Sequence, residues 1–108
     1  FGRALVPTGI HFYVPERCEI QVRPKSGLAI KRGLSVLNTP GTVDYGYTGE
    51  IKVIVFNMSN EVQSIVKGDK IAQAVVCPVV QGSEINLKRV DKIENKDRNS
   101  NGFGSTGN

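Results

Sequence analysis

Tryptophan is absent from this 108-residue chain, and histidine and methionine occur once each. Two cysteines, Cys18 and Cys77, stand far apart without a CxxC spacing, and with His11 as the lone imidazole they leave a zinc site short of ligands. Each lies in an alternating apolar stretch, so we read them as buried thiols acting as small hydrophobes rather than as a catalytic pair with His11. His11 itself, between Ile10 and Phe12, reads as an outward-facing ring. No run approaches the ~18 apolar residues of a membrane span, and no basic, apolar and small-residue series resembles a signal peptide. These absences lead us to expect a cytoplasmic protein with no membrane partner. The few aromatics do not interleave with basic residues into a stacking platform, so no stable nucleic-acid partner is expected either.

The content that is present fits one soluble globule. Hydrophobic residues make up 39% of the chain, and its length suits a single core. The net charge of +4 favours anionic partners. Much of the excess sits at Arg23, Lys25, Lys31 and Arg32, and again at Lys88, Arg89, Lys92, Lys96 and Arg98.

Cys18, Ile20 and Val22 alternate with Glu19, Gln21 and Arg23, the period of a half-buried strand. Similar material occurs at 4–6, 10–14, 34–37, 51–56, 62–66, 71–80 and 85–90, punctuated by turn residues such as Pro7 to Gly9, Pro40 and Gly41, and Lys67 to Asp69. Many short strands at this spacing predict an all-β sandwich, jelly roll or barrel over residues 1–90. A single helical turn is predicted over 26–31, stopped by Gly33.

Three polar clusters are candidates for chemistry. At the helix start, free N–H groups beside Lys25 and Ser26 make a small anion site, or Ser26 is an ordinary N-cap on a solvated turn. Residues 38–50 read as a glycine-rich hairpin between two apolar strands, in which Asp44 offers a base beside the rings of Tyr45 and Tyr47. Residues 91–108 form an arm. Its end places Phe103 among Gly102, Gly104, Ser105 and Thr106, with Arg98 upstream. That composition suits either a disordered polar terminus or a lid over a ligand that is part ring and part phosphate.

RPKSGLA at 23–29, LNTPGTVDYGYTGEIKVIVFN at 37–57, GDKIAQAVVCPV at 68–79 and RNSNGFGSTG at 98–107 together resemble the trimeric dUTPases, and RALVPTG at 3–9 extends the likeness over essentially the whole chain. The resemblance implies a jelly-roll β fold and a homotrimer whose three active sites each draw on all subunits, the arm capping a neighbour's site. It implies Mg²⁺-dependent hydrolysis of dUTP to dUMP and pyrophosphate, which keeps uracil out of DNA and supplies the dTMP precursor. The Mg²⁺ would be carried mainly by the triphosphate, with no protein ligand assigned.

By the same likeness, Asp44 corresponds to the carboxylate that orients and deprotonates the attacking water, since a carboxylate accepts protons at neutral pH. Asn38, Gly41, Thr42 and Val43 match the uracil-reading positions, and Tyr47 matches the ring that supports deoxyribose and excludes a 2′-hydroxyl. Lys25, Ser26, Gly27 and Gln73 match phosphate-side groups, and Lys52 falls at a nucleotide-contact position. Arg98, Gly104, Ser105 and Thr106 resemble the γ-phosphate clamp, and Phe103 would stack on uracil for about 1 to 3 kcal/mol.

The chain departs from the family pattern at several points. Lys25 stands where most members carry Arg, which replaces a bidentate contact by a point charge. Gly46 replaces a frequent Asp, and Asn99 and Asn101 replace tail glycines. The family's first motif, an AGxDL-like segment, would precede Phe1, so we expect residues upstream of the sequence as given. Two other functions compete. A dCTP deaminase of this fold would place a glutamate where the chain has Ile54, and an aliphatic side chain cannot shuttle protons. A non-catalytic nucleotide-binding trimer would keep the pocket without turnover; Asp44 and the full tail motif argue against it, while the missing first motif argues for it.

Overall fold

A computed structural model describes residues 1–94. The elements are β1 (Arg3–Pro7), β2 (Cys18–Arg23), α1 (Ser26–Arg32), β3 (Leu34–Val36), β4 (Gly41–Val43), β5 (Lys52–Asn57) and β6 (Gln73–Pro78), followed by a 3₁₀ turn at Gly82–Glu84. They form two antiparallel three-stranded sheets, β1-β5-β3 and β4-β2-β6. One core joins the sheets. Ile20 and Val22 come from β2, Leu34 and Val36 from β3, Val43 from β4, and Val53 and Val55 from β5, with Val14 and Ile51 beside them. Every second residue of these strands points inward, so the alternation in the sequence is the core itself. The result is the expected all-β sandwich with a jelly-roll fold.

The helix forms where expected and runs one residue further. Pro24 keeps the preceding chain extended, and Leu28, Ala29, Lys31 and Arg32 are good helix formers. Gly33 ends it at φ 65, its N–H bonded to the Ala29 and Leu28 carbonyls. Lys31 and Arg32 in the last turn complement the helix dipole. The N-cap is Lys25 without a side-chain hydrogen bond, so the alternative of a capping Ser26 does not hold. Arg32 ties the helix end down, donating from Nε to Gln63 Oε1 at 3.0 Å and from NH2 to the Ser64 carbonyl at 2.6 Å.

Three predicted strands carry no ladder among the described residues. Residues 10–14 keep the alternation, with Val14 buried and Phe12 half-buried against exposed His11 and Tyr13, yet their backbone pairs with no strand. Of residues 62–66 only Ile65 packs against the core while Val62 is 97% exposed, and residues 85–90 lie at the surface, with Leu87 92% exposed. A strand needs a partner edge as well as a pattern. The predicted strand over 71–80 shortens to β6, because residues 71 and 72 precede pairing and Val79 bonds the Arg17 carbonyl instead. Cys18 and Cys77 are half-buried and free rather than fully buried.

Residues 38–50 are not a hairpin. The segment that was to join two neighbouring strands instead leaves the first sheet at β3, adds β4 to β2 in the second sheet, and returns to the first at β5. Each visit satisfies backbone groups on a different layer, which local turn residues cannot specify.

Candidate active site

The passage between sheets encloses a cavity of about 280 Å³. Asn38, Gly41, Thr42, Val43, Asp44, Tyr47 and Lys52 all line it, so seven of the residues singled out from the sequence converge. Val22, Val36 and Val53, buried in the core, form its apolar floor. Gly41 lies between the Asn38 amide and Val22: a Cβ there would stand 3.4 Å from Asn38 Nδ2 and 3.5 Å from Val22 Cβ, at ordinary contact distance.

Asp44 follows Val43 at the end of β4, where the alternation turns its neighbour into the core and leaves the aspartate exposed. Its carboxylate has no side-chain or backbone partner among the described residues, while its carbonyl accepts the Tyr47 N–H at 3.1 Å. That bond closes a turn through Tyr45 and Gly46. Gly46 sits at φ 91, a conformation costly for an aspartate, which accounts physically for the glycine at this point.

Tyr47 stands upright at the cavity wall. Its hydroxyl donates to the Glu50 carbonyl at 3.0 Å, and Gly49 lets the ring lie close to the backbone. Tyr45 points elsewhere, its hydroxyl 3.4 Å from Glu16 Oε1, and it does not line the cavity. Two residues that sequence reasoning passed over, Gly49 and Glu50, thus fix the ring. The adjacency of glycine and a tyrosine two residues earlier was the only signal for them.

The phosphate-side residues lie elsewhere on the chain. Lys25 and Gln73 line a second cavity of about 550 Å³, with Lys67, Asp69 and Lys70 at its border. Gln73 Nε2 donates to the Pro24 carbonyl at 2.8 Å, so the two are held together across β2 and β6. Ser26 and Gly27 open α1 on the exposed side, and a Cβ on Gly27 would meet nothing within 4 Å. Arg98, Phe103, Gly104, Ser105 and Thr106 lie outside the described residues. Among the described residues no three His, Cys, Asp or Glu side chains converge on one point.

A family model described as dUTPase matches residues 1–107. Deoxyuridine 5'-triphosphate nucleotidohydrolase from Hydrogenobaculum sp. (strain Y04AAS1) is 50% identical over 107 residues, covering 99% of this chain and 72% of that protein. Its counterpart from Beijerinckia indica is 53% identical over 106 residues, covering 98% and 64%. In three dimensions, a variant of the phage 80alpha dUTPase superposes with a TM-score of 0.78 at 25% identity, over 96% of this chain and 75% of that one. The native EIAV dUTPase gives a TM-score of 0.61 at 27% identity, over 84% and 79%. The sheet order, the cavity built by residues 38–52 and a family match along almost the full sequence therefore lead to one conclusion, that this chain belongs to the dUTPase family.

Proposed function

We propose that the protein hydrolyses dUTP to dUMP and pyrophosphate, limiting uracil in DNA and feeding dTMP synthesis, with Asp44 as the base. The observation that carries this reading is the unpartnered Asp44 carboxylate at the rim of a cavity already shaped by Asn38, Val43 and Tyr47. A carboxylate free of internal partners can hold a water and take its proton as that water attacks phosphorus. Asn38 offers both an amide donor and an acceptor to the uracil edge, and Gly41 to Val43 line the wall that a thymine methyl would meet. Tyr47 supports the deoxyribose. Lys52, exposed at the start of β5, supplies positive charge beside the phosphates.

Magnesium suits this donor set. Mg²⁺ binds through one or two carboxylates plus phosphate oxygens and water rather than through a protein cage, and Asp44 and Glu50, the two carboxylates lining the cavity, are too few for a cage of their own. When bound, the ion offsets phosphate charge as the bond breaks. Holding it through the triphosphate leaves Asp44 free for its proton.

A complete site draws on more than one subunit in our reading. Lys25 and Gln73 line a different cavity from Asp44 and Tyr47, and several large apolar side chains stand exposed on the single chain. Both features support a homotrimer in which one subunit's phosphate groups face another's nucleoside cavity, closed by the arm with Arg98, Phe103, Gly104, Ser105 and Thr106. No helix among the described residues is long and apolar enough to cross a membrane, and a nucleotide substrate fits a cytoplasmic location.

Ile54 lines the cavity where proton shuttling for deamination would need a carboxylate, which favours hydrolysis over a dCTP deaminase. The test is pyrophosphate release with Asp44→Asn. We expect nucleotide binding to persist and turnover to fall at least ~100-fold, in keeping with loss of general-base catalysis. Turnover left intact would remove Asp44 from the mechanism, and ammonia from dCTP would point to the deaminase.

A further inference from the structure

β1 ends at Pro7, and residues 8–11 then run beside residues 48–51 without continuing the ladder. Thr8 N and Thr8 Oγ1 both donate to the Ile51 carbonyl, at 3.2 and 2.7 Å, while Ile51 N donates to the Ile10 carbonyl at 2.8 Å. Extra residues on one side therefore oppose Ile51, as in a β-bulge, which re-aims the side chains that follow. Gly9 provides the turn at φ 72, and its N–H donates to Glu50 Oε2 at 2.9 Å. Ile10 N donates back to Thr8 Oγ1 at 3.0 Å.

The bulge sets His11 against the loop that carries Tyr47. Its Nδ1 lies 2.8 Å from the carbonyl of Thr48, the residue after Tyr47. A carbonyl only accepts, so Nδ1 must carry the hydrogen, as it does both in one neutral tautomer and in the imidazolium. Among the described residues, His11 is the one side chain from outside residues 44–50 that bonds their backbone.

We propose that His11 is a positioning residue for sugar recognition: it fixes the Thr48 carbonyl and, through it, the stance of the Tyr47 ring. This rests on the proposed hydrolysis of dUTP, in which Tyr47 supports deoxyribose. A wall that rejects a 2′-hydroxyl by contact must stay where it is, and the loop carrying Tyr47 is exposed at residues 44–48. His11 supplies the restraint from outside. Nothing in its type or neighbours in the sequence marks it for this task, because the contact spans 37 residues.

The experiment compares His11→Ala with His11→Asn, whose amide N–H can replace the Nδ1 donor. For His11→Ala we expect KM for dUTP to rise about 3- to 10-fold, the equivalent of one lost hydrogen bond, with kcat within about 2-fold. The preference for dUTP over UTP should fall by a similar factor. Hydrogen exchange across residues 44–50 should quicken. His11→Asn should restore all three. Unchanged KM, selectivity and exchange in His11→Ala would overturn the proposal, as would a loss of kcat and melting temperature that His11→Asn fails to rescue. Exchange requires no turnover, so wild-type protein inert toward dUTP would sink the functional reading while the exchange comparison still decides the role of His11.

Discussion

A methyl group on Gly49 would stand 2.5 Å from the Tyr47 hydroxyl oxygen and 2.7 Å from the ring carbon that bears it. The ring would have to swing away, breaking its bond to the Glu50 carbonyl. Because the strain falls on one exposed side chain, Gly49→Ala should leave the melting temperature nearly unchanged. Steady-state kinetics should instead show KM for dUTP raised about 10-fold and discrimination against UTP weakened, as expected when a specificity contact worth about 1.4 kcal/mol is lost. At this scale the sequence marked, by residue type, side chains that the fold gathers at one cavity: Asp44 after an apolar residue, Tyr47 among glycines, and Asn38 before a turn. It was silent on Glu50 and His11, whose roles depend on backbone atoms at Gly9, Thr48 and Glu50 itself. Gly46 shows the opposite case, since its departure from the family pattern became intelligible only with a φ of 91.

Among the elements, α1 was the most legible because both of its signals are local, a run of helix formers and a glycine stop. Gly33 does more than end the helix. Its φ of 65 and the Ser59 backbone N only 3.0 Å from where a Cβ would sit leave Gly33→Ala no cheap relaxation. We expect that variant to lose about 1 to 3 kcal/mol, read as a lower urea midpoint with an unchanged slope. The loop at 57–64 would move with it, since Met58 N bonds the Gly33 carbonyl and Arg32 holds Gln63 and Ser64. β4 was illegible for the converse reason. Gly41, Thr42 and Val43 look like part of a turn, and only β2, some twenty residues earlier, makes them a strand. Residues 62–66 and 85–90 show the same limit, because alternation states which side is apolar and never which edge will pair with it.

Over the whole molecule, the described residues pack around one small cluster of nine buried apolar side chains. That core is thin, with no side chain among the described residues below 2% exposure. Ile30, Val62, Leu87 and Ile93 are each more than 80% exposed. Such an outline fits a subunit better than a free monomer. Sedimentation equilibrium should return three times the chain mass, and Leu87→Asp should shift the protein toward smaller species and lower turnover together. A fully active monomer would refute the shared site. Within the chain, the route taken by residues 34–57 has a mechanical meaning. Asn38 and Lys52 are fastened at the margins of one sheet, whereas Asp44 hangs from the other. The cleft is thus a caliper set across the sandwich: its jaw opening is the spacing of the two layers, and slippage between them is felt first as a displaced Asp44 carboxylate.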